Sequence, residues 1–421
     1  MSDNFLEPAD DTAVPLVDPE EQLPGIASYV KAKFDDAENG RFSYEQRWLK
    51  AYKNFRGIYD STTQYRDSEK SKVFIKITKT KVLAAYGQIV DILFANKKFP
   101  LVVESTPVPE GIAEFAHLST PLDQMQPNED PYGFAGDGRE LPFGATQATS
   151  GGDFLGGLSQ KYGQASLSEG PAKMGEPQIS PAQNAALNME KMIHDQLLDT
   201  SAVNVLRSSI FESALLGTGI VKGPFNHYKR VHRWQTGSEG RTYQPYERVV
   251  PRIEHVSPWD FHPDPSATSV EDCEYVIQRH RMNRQQLRNL ITQPHFYKDA
   301  IEECLAKGPN YEDKYYEDTI REEETEPYVG DSRYEVLEYW GFLDAKMARE
   351  AGLDVSYDVS EFEQVQVNIW TCGTMVLRCV LNPFTPARIP YQVFPYEINP
   401  YQVWGVGVAE NMEDAQMLMN R

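Results

Sequence analysis

Apolar residues between positions 26 and 55 recur at three- and four-residue steps (Tyr29, Phe34, Tyr44, Trp48, Leu49, Tyr52, Phe55), the spacing that lines one face of an α-helix. Ser43 with Gln46 three positions on has the form of a capping box, so two helices are predicted here, the second stopped by Gly57. From 72 to 77, charged positions alternate with Val73, Ile75 and Ile77, which predicts a short strand with one wet face. Thr78 then opens a helix with Val82, Leu83, Tyr86, Ile89, Val90, Leu93 and Phe94 on one side. Phe99-Pro100 ends that pattern, and 101–104 reads as a strand.

Periodicity is lost from 107 to 181, where Gly, Pro, Ser and Gln dominate, as in a flexible insertion. It returns as helices over 182–198 and 202–216; Gly217-Thr218-Gly219 closes the second and turns into a strand at 220–222. Strands at 228–234 and 242–255 flank the turn residues 236–240 and predict a hairpin. Beyond a Pro-punctuated turn at 256–265, the pattern gives a strand at 275–281, helices at 283–291 and 297–305, and an acidic loop at 309–331. Strands follow at 334–342, 364–370 and 375–380, the last two joined at Cys372-Gly373. After 389–394, a helix starting near Ala409 is still amphipathic at Arg421, where it meets no cap, so a truncated chain or the ordered part of a longer one is expected.

These elements predict an α+β fold. Its parts are an acidic disordered arm (1–24), a helix-and-strand part (25–106), the insertion (107–181), a helix pair leading into a sheet (182–225), a β-rich region holding the acidic loop (226–400), and the start of a further helix (401–421). The 421 residues exceed the roughly 250–300 that one core organises, which agrees with several parts. A formal net charge of -21 argues against tight general DNA binding, because affinity for phosphates comes from Lys and Arg displacing counterions. It leaves room for a conduit, whose mildly repulsive wall lets a polyanion slide.

Cys273, Cys304, Cys372 and Cys379 are scattered, with neither zinc-knuckle nor secreted-protein spacing, so no disulfide framework is expected and a reducing compartment fits. The acidic amino terminus and the lack of any apolar run of about 18 residues predict no signal peptide and no membrane span. No phosphate-binding Gly-rich loop and no metal-type histidine spacing is found, so no cofactor, metal or catalytic set is predicted. Asp260, His262 and Asp264 share a stiff loop that could serve hydrolysis or a metal; the preferred reading is that the aspartates cap turns while Trp259 and Phe261 anchor the loop. Lys70, Lys72, Lys76, Lys79, Lys81, Lys97 and Lys98 form the one basic stretch, a candidate contact for DNA backbone or for an adjacent subunit's acidic surface, beside the plainer role of a solvated face. Of these, Lys76, Lys79, Lys81, Lys97 and Lys98 are the interface candidates.

Four segments in order carry a resemblance. They are 44–55 with Val73-Phe74-Ile75-Lys76-Ile77, the helix up to Phe94 and Phe99-Pro100-Leu101-Val102-Val103; Phe211 to Lys222; Val256 to Pro265 with Glu271-Asp272-Cys273 and Tyr275-Val276-Ile277 behind it; and Trp404-Gly405-Val406-Gly407-Val408-Ala409-Glu410 leading to Asp414-Ala415-Gln416 and Asn420. Together they resemble the portal proteins of tailed double-stranded-DNA phages, above all those of short-tailed phages. The resemblance implies a structural, non-enzymatic subunit of a ring at one capsid vertex, usually a dodecamer assembled in the host cytoplasm. The implied partners are further copies of itself, a separate terminase that packages the DNA, capsid and scaffolding proteins, a tail adaptor, and DNA passing through without sequence-specific binding. The chain would supply mainly the wing; the insertion departs from the family pattern, and the alternatives are another virion protein such as a head-tail adaptor or, remotely, a hydrolase or nuclease using the 260–264 loop.

Overall fold

A computed structural model of the chain describes residues 23–59, 73–94, 99–105, 181–237, 240–321, 333–356 and 358–420. The predicted insertion (bar its last residue), nearly all of the acidic arm, the end of the acidic loop and Lys70, Lys72, Lys97 and Lys98 lie outside these residues. The chain divides into two compact units, one of Met1–Pro100 with Gln196–Arg421 and one of Leu101–Asp195.

In the first unit a single helix, α1 (Leu23–Arg56), stands where two were expected. Ile26, Val30, Phe34, Ala37, Arg41, Glu45, Trp48, Ala51 and Phe55 are all buried, at steps of three and four, so one stripe continues through Ser43 and no cap forms there. The stripe was hidden because two of its positions carry charge. Gly57, at φ 81°, ends the helix with its N–H on the Lys53 carbonyl at 2.8 Å. The expected strand before α2 (Ile77–Phe94) is also absent: the Ile75 N–H donates to Asn420 Oδ1 at 3.0 Å rather than to a neighbouring strand.

Helix α3 (Pro181–Asp199) runs across the division, and α4 (Ala202–Leu216) follows as expected. In the second unit residues 101–105 form no strand; the Val103 N–H donates to Glu190 Oε2 of α3 at 3.3 Å.

Strand β1 (Thr218–Val231) fuses two predicted strands across a bulge between Lys222 and Phe225. The short pair β2 (Trp234–Gly237) and β3 (Gly240–Tyr243) follows it, and β4 (Tyr246–Val256) then returns antiparallel along β1. On the other edge of β1 lies β10 (Tyr391–Pro395), giving the sheet order β10-β1-β4. A second, five-stranded antiparallel sheet runs in chain order through β5 (Phe261–Pro263), β6 (Tyr275–Asn283), β7 (Arg333–Asp344), β8 (Gln364–Cys372) and β9 (Met375–Leu381).

Alternation on this meander sorts its side chains into two faces. Tyr275, Ile277, Leu337, Tyr339, Val367 and Ile369 meet the amino-terminal half of α1. On the opposite face, Val336 and Cys372 pack with helices α5 (Arg284–Asn289) and α6 (Lys298–Lys307), while Val276 and Trp340 join the core shared with β1 and β10. Asn283 caps α5 through a true capping box with Gln286. The described part of the region expected to be an acidic loop holds a fully buried Tyr316 and a short helix α7 (Glu317–Arg321). Helix α8 (Ala345–Glu350) was not expected, and the last helix is broken at Met412 into α9 (Val408–Asn411) and α10 (Glu413–Met419).

Candidate functional site

Residues from all four sequence segments meet in one core, while Leu101-Val102-Val103 of the first belongs to the second unit. Trp48 and Phe55 of α1, Val82 of α2, Ala214 to Leu216 of α4, Ile220, Val256, Phe261 and Val276 of the sheets, and Trp404 and Ala409 pack together. At its centre the Trp48 ring lies 4.7 Å from Trp404 and 5.4 Å from Trp259, both edge-on, an arrangement that suits the ring quadrupoles. The two Gly-x-Gly stretches cross here backbone to backbone. Gly217 ends α4 at φ 97°, and any Cβ there would strike the carbonyl oxygen of Gly405; Thr218 Oγ1 accepts the Gly405 N–H at 2.9 Å.

The carboxy-terminal helices are fastened to the same core. Arg47 and Lys50 of α1 pair with Glu410 and Glu413, and Gln416 Oε1 accepts the N–H and hydroxyl of Thr78 at 3.1 and 3.0 Å. The Thr78 N–H in the first turn of α2 is therefore satisfied by α10 rather than by a residue next to it in sequence.

The 258–265 loop is built as a clamp. Buried Arg41 donates to the carbonyls of Pro258 (2.8 Å), Phe261 (2.7 Å) and Trp259 (2.7 Å), and its remaining charge meets Glu45 at 2.8 Å. Gly40 lets α1 approach, since a Cβ would sit 2.7 Å from the Pro265 ring. Of the loop's titratable groups, Asp264 accepts from the Ser266 N–H (2.9 Å) and hydroxyl (2.7 Å), an Asx turn, and Asp260 turns to Arg279 at 3.4 Å. His262 is fully buried against the Phe34 ring at 4.5 Å, with neither ring nitrogen hydrogen-bonded. Burial, reinforced by the charges of Arg41 and Arg279, pushes its pKa well below the ordinary value of 6.5. The three side chains point to different partners and do not form a reactive cluster.

A second buried constellation, which spacing gave no sign of, joins the two sheets. Lys222 of β1 pairs with Glu338 of β7, which also meets His280 Nε2 at 2.7 Å and accepts from Trp340 Nε1 at 2.8 Å. The Lys222 ammonium lies 5.3–5.8 Å from the ring centres of Phe225, Tyr391 and Trp370. Burial works against a charged Glu338, yet Lys222 and His280 outweigh it and hold the carboxyl down at about 2. Elsewhere Arg279 donates to Tyr316 and Glu317, both at 3.1 Å, tying α7 to β6. Each of these charges is spent on holding elements together.

Of the candidate lysines, Lys79 lies with Nζ 5.9 Å from the Phe55 ring centre, and Lys76, Lys79 and Lys81 are all exposed on or next to α2. Beside them the predicted apolar face of α2 is only partly used: Val82 and Phe94 are buried, while Leu83 is 43% and Ile92 81% exposed. Leu418 on α10 is 70% exposed. Among the described residues no three His, Cys, Asp or Glu side chains gather as metal ligands, and no helix is long and apolar enough to cross a membrane.

The family model described as phage SU10 portal protein matches residues 176–419 of the chain, from α3 through α10. No curated protein matches it. The matched stretch takes in three of the four converging segments and more than half of the sequence. The chain therefore belongs to the phage SU10 portal protein family, structural proteins of an oligomeric, capsid-associated assembly in the bacteriophage virion.

Proposed function

We propose that this portal subunit closes with copies of itself, twelve in the usual arrangement, into a ring at one capsid vertex. Double-stranded DNA is driven in through the ring by a separate terminase and later leaves through it, and the tail attaches there through an adaptor. The observation that carries the reading is the family match over 176–419, taken with a rigid core that spends its buried charges on internal clamps. Heterologous contacts between identical wedges close into cyclic assemblies when the rotation fits. In this reading 25–106 and 182–400 form the wing, 401–421 leads toward the stem, and assembly with capsid and scaffold takes place in the host cytoplasm. Lys76, Lys79 and Lys81, with Lys97 and Lys98, meet the acidic surface of the next subunit or the DNA backbone.

Electron microscopy of the full-length protein under assembly conditions tests this. Rings with an axial opening are expected, and particles with no opening, or unaided ATP turnover by the protein, would overturn it. Particle imaging that placed the chain outside the shell would instead assign it to a head-tail adaptor.

A further inference from the structure

Cys304 and Cys372 are 68 positions apart in sequence, on α6 and at the end of β8, and their Sγ atoms lie 2.7 Å apart. That is well inside the non-bonded separation of two sulfur atoms and within an ångström of the roughly 2.05 Å of a disulfide. Both are reduced, and both are buried, at 4% and 3% exposure, among Leu287, Leu377 and Val336. Cys273 and Cys379 belong to other core clusters.

We infer that Cys304 and Cys372 are an oxidation site, which a small hydroperoxide converts to an intramolecular disulfide pinning α6 to the end of β8. The inference rests on the virion location of the family, because a particle released from its host leaves a reducing interior for an oxidising exterior. The Cys304 thiol donates to Cys372 Sγ, so the two sulfurs already face each other along the line of the bond they would form. Either sulfur can serve as the attacking thiolate, with the other as the resolving thiol.

The thiolate of one cysteine of the pair attacks one oxygen of hydrogen peroxide, the O–O bond breaks, and the departing hydroxide takes up a proton as water, leaving a sulfenic acid. The other cysteine then loses its thiol proton and its sulfur attacks the sulfenic sulfur; the S–O bond breaks and a second water leaves. Two thiols lose two electrons and the peroxide gains them. Burial of both sulfurs excludes a bulky disulfide such as oxidised glutathione as the oxidant.

The test uses the wild-type chain, treated with hydrogen peroxide, denatured, alkylated and digested without reduction. Expected are a mass lower by two hydrogen atoms, a peptide linking Cys304 to Cys372, and two thiols left to alkylate, at Cys273 and Cys379. Retention of all four thiols, over-oxidation of single cysteines, or linkage to Cys273 or Cys379 would overturn the assignment. The Cys304→Ser and Cys372→Ser variants should each lose the linked peptide, whereas Cys379→Ser should keep it. Ring formation is scored separately on the reduced protein, so failure of the disulfide and failure of the portal reading give different results.

Discussion

Arg41 shows how much a single buried charge carries at the residue scale. It satisfies three carbonyls of the 258–261 turn, and its carboxylate partner Glu45 is equally buried. Arg41→Ala removes those bonds and strands Glu45 without its counter-charge, so a loss of about 3–5 kcal/mol is expected in urea unfolding. Arg41→Lys should restore only part of it, since an ammonium cannot reproduce the planar fork.

Two other residues set the response to acid. The folded-state pKa of His262 lies well below 6.5, so the unfolded chain binds the extra proton first. Its contribution is intact above pH 6.5 and is lost as pH falls below that value. Glu338, held at about 2 against an ordinary 4.5, acts in the same direction over the lower window, its contribution present above 4.5 and lost as pH falls toward 2. Urea midpoints should therefore fall from pH 7 to pH 5, and His262→Leu should flatten that first step; an unchanged slope in the variant would remove His262 as the cause.

At the scale of elements, the crossing of the two Gly-x-Gly stretches determines whether the carboxy-terminal helices dock. Gly217→Ala puts a methyl group at φ 97° against the Gly405 backbone, at a cost of about 1–3 kcal/mol. Limited proteolysis should then cleave the 404–420 segment faster than in the wild type while the five-stranded sheet stays protected. The Cys304–Cys372 bond acts at the same scale, closing a loop across 68 positions, for which chain entropy gives a stabilisation of about 4 kcal/mol. Peroxide-treated protein should accordingly unfold at higher denaturant than the reduced form.

For the whole molecule, the apolar positions that the core leaves unused are the ones an assembly would cover. Ile92→Asp and Ile92→Glu should each leave monomer unfolding within about 0.5 kcal/mol of wild type, because that side chain is 81% exposed. Sedimentation of the full-length protein should show these variants failing to form rings. Rings of normal size would move the subunit interface away from α2.

How far sequence alone reaches follows from which forces are local. Local periodicity and turn chemistry placed α4, the β1–β4 hairpin, the β8–β9 hairpin and the Gly57 stop, because repeating apolar spacing and glycine's access to positive φ act over a few residues. They also favoured a turn-capping role for Asp264 over a catalytic one, and the order of four segments was enough to suggest the portal family. Tertiary structure alone decided that α1 is one helix, since Arg41 and Glu45 read as surface charges until the 258–261 carbonyls are brought to them. It alone decided that residues 73–76 and 101–105 form no strands, as among the described residues no strand lies beside them to complete a ladder. Buried partners such as Lys222 with Glu338 and Cys304 with Cys372 are set by sheet register and packing across distant segments, and no local spacing encodes them.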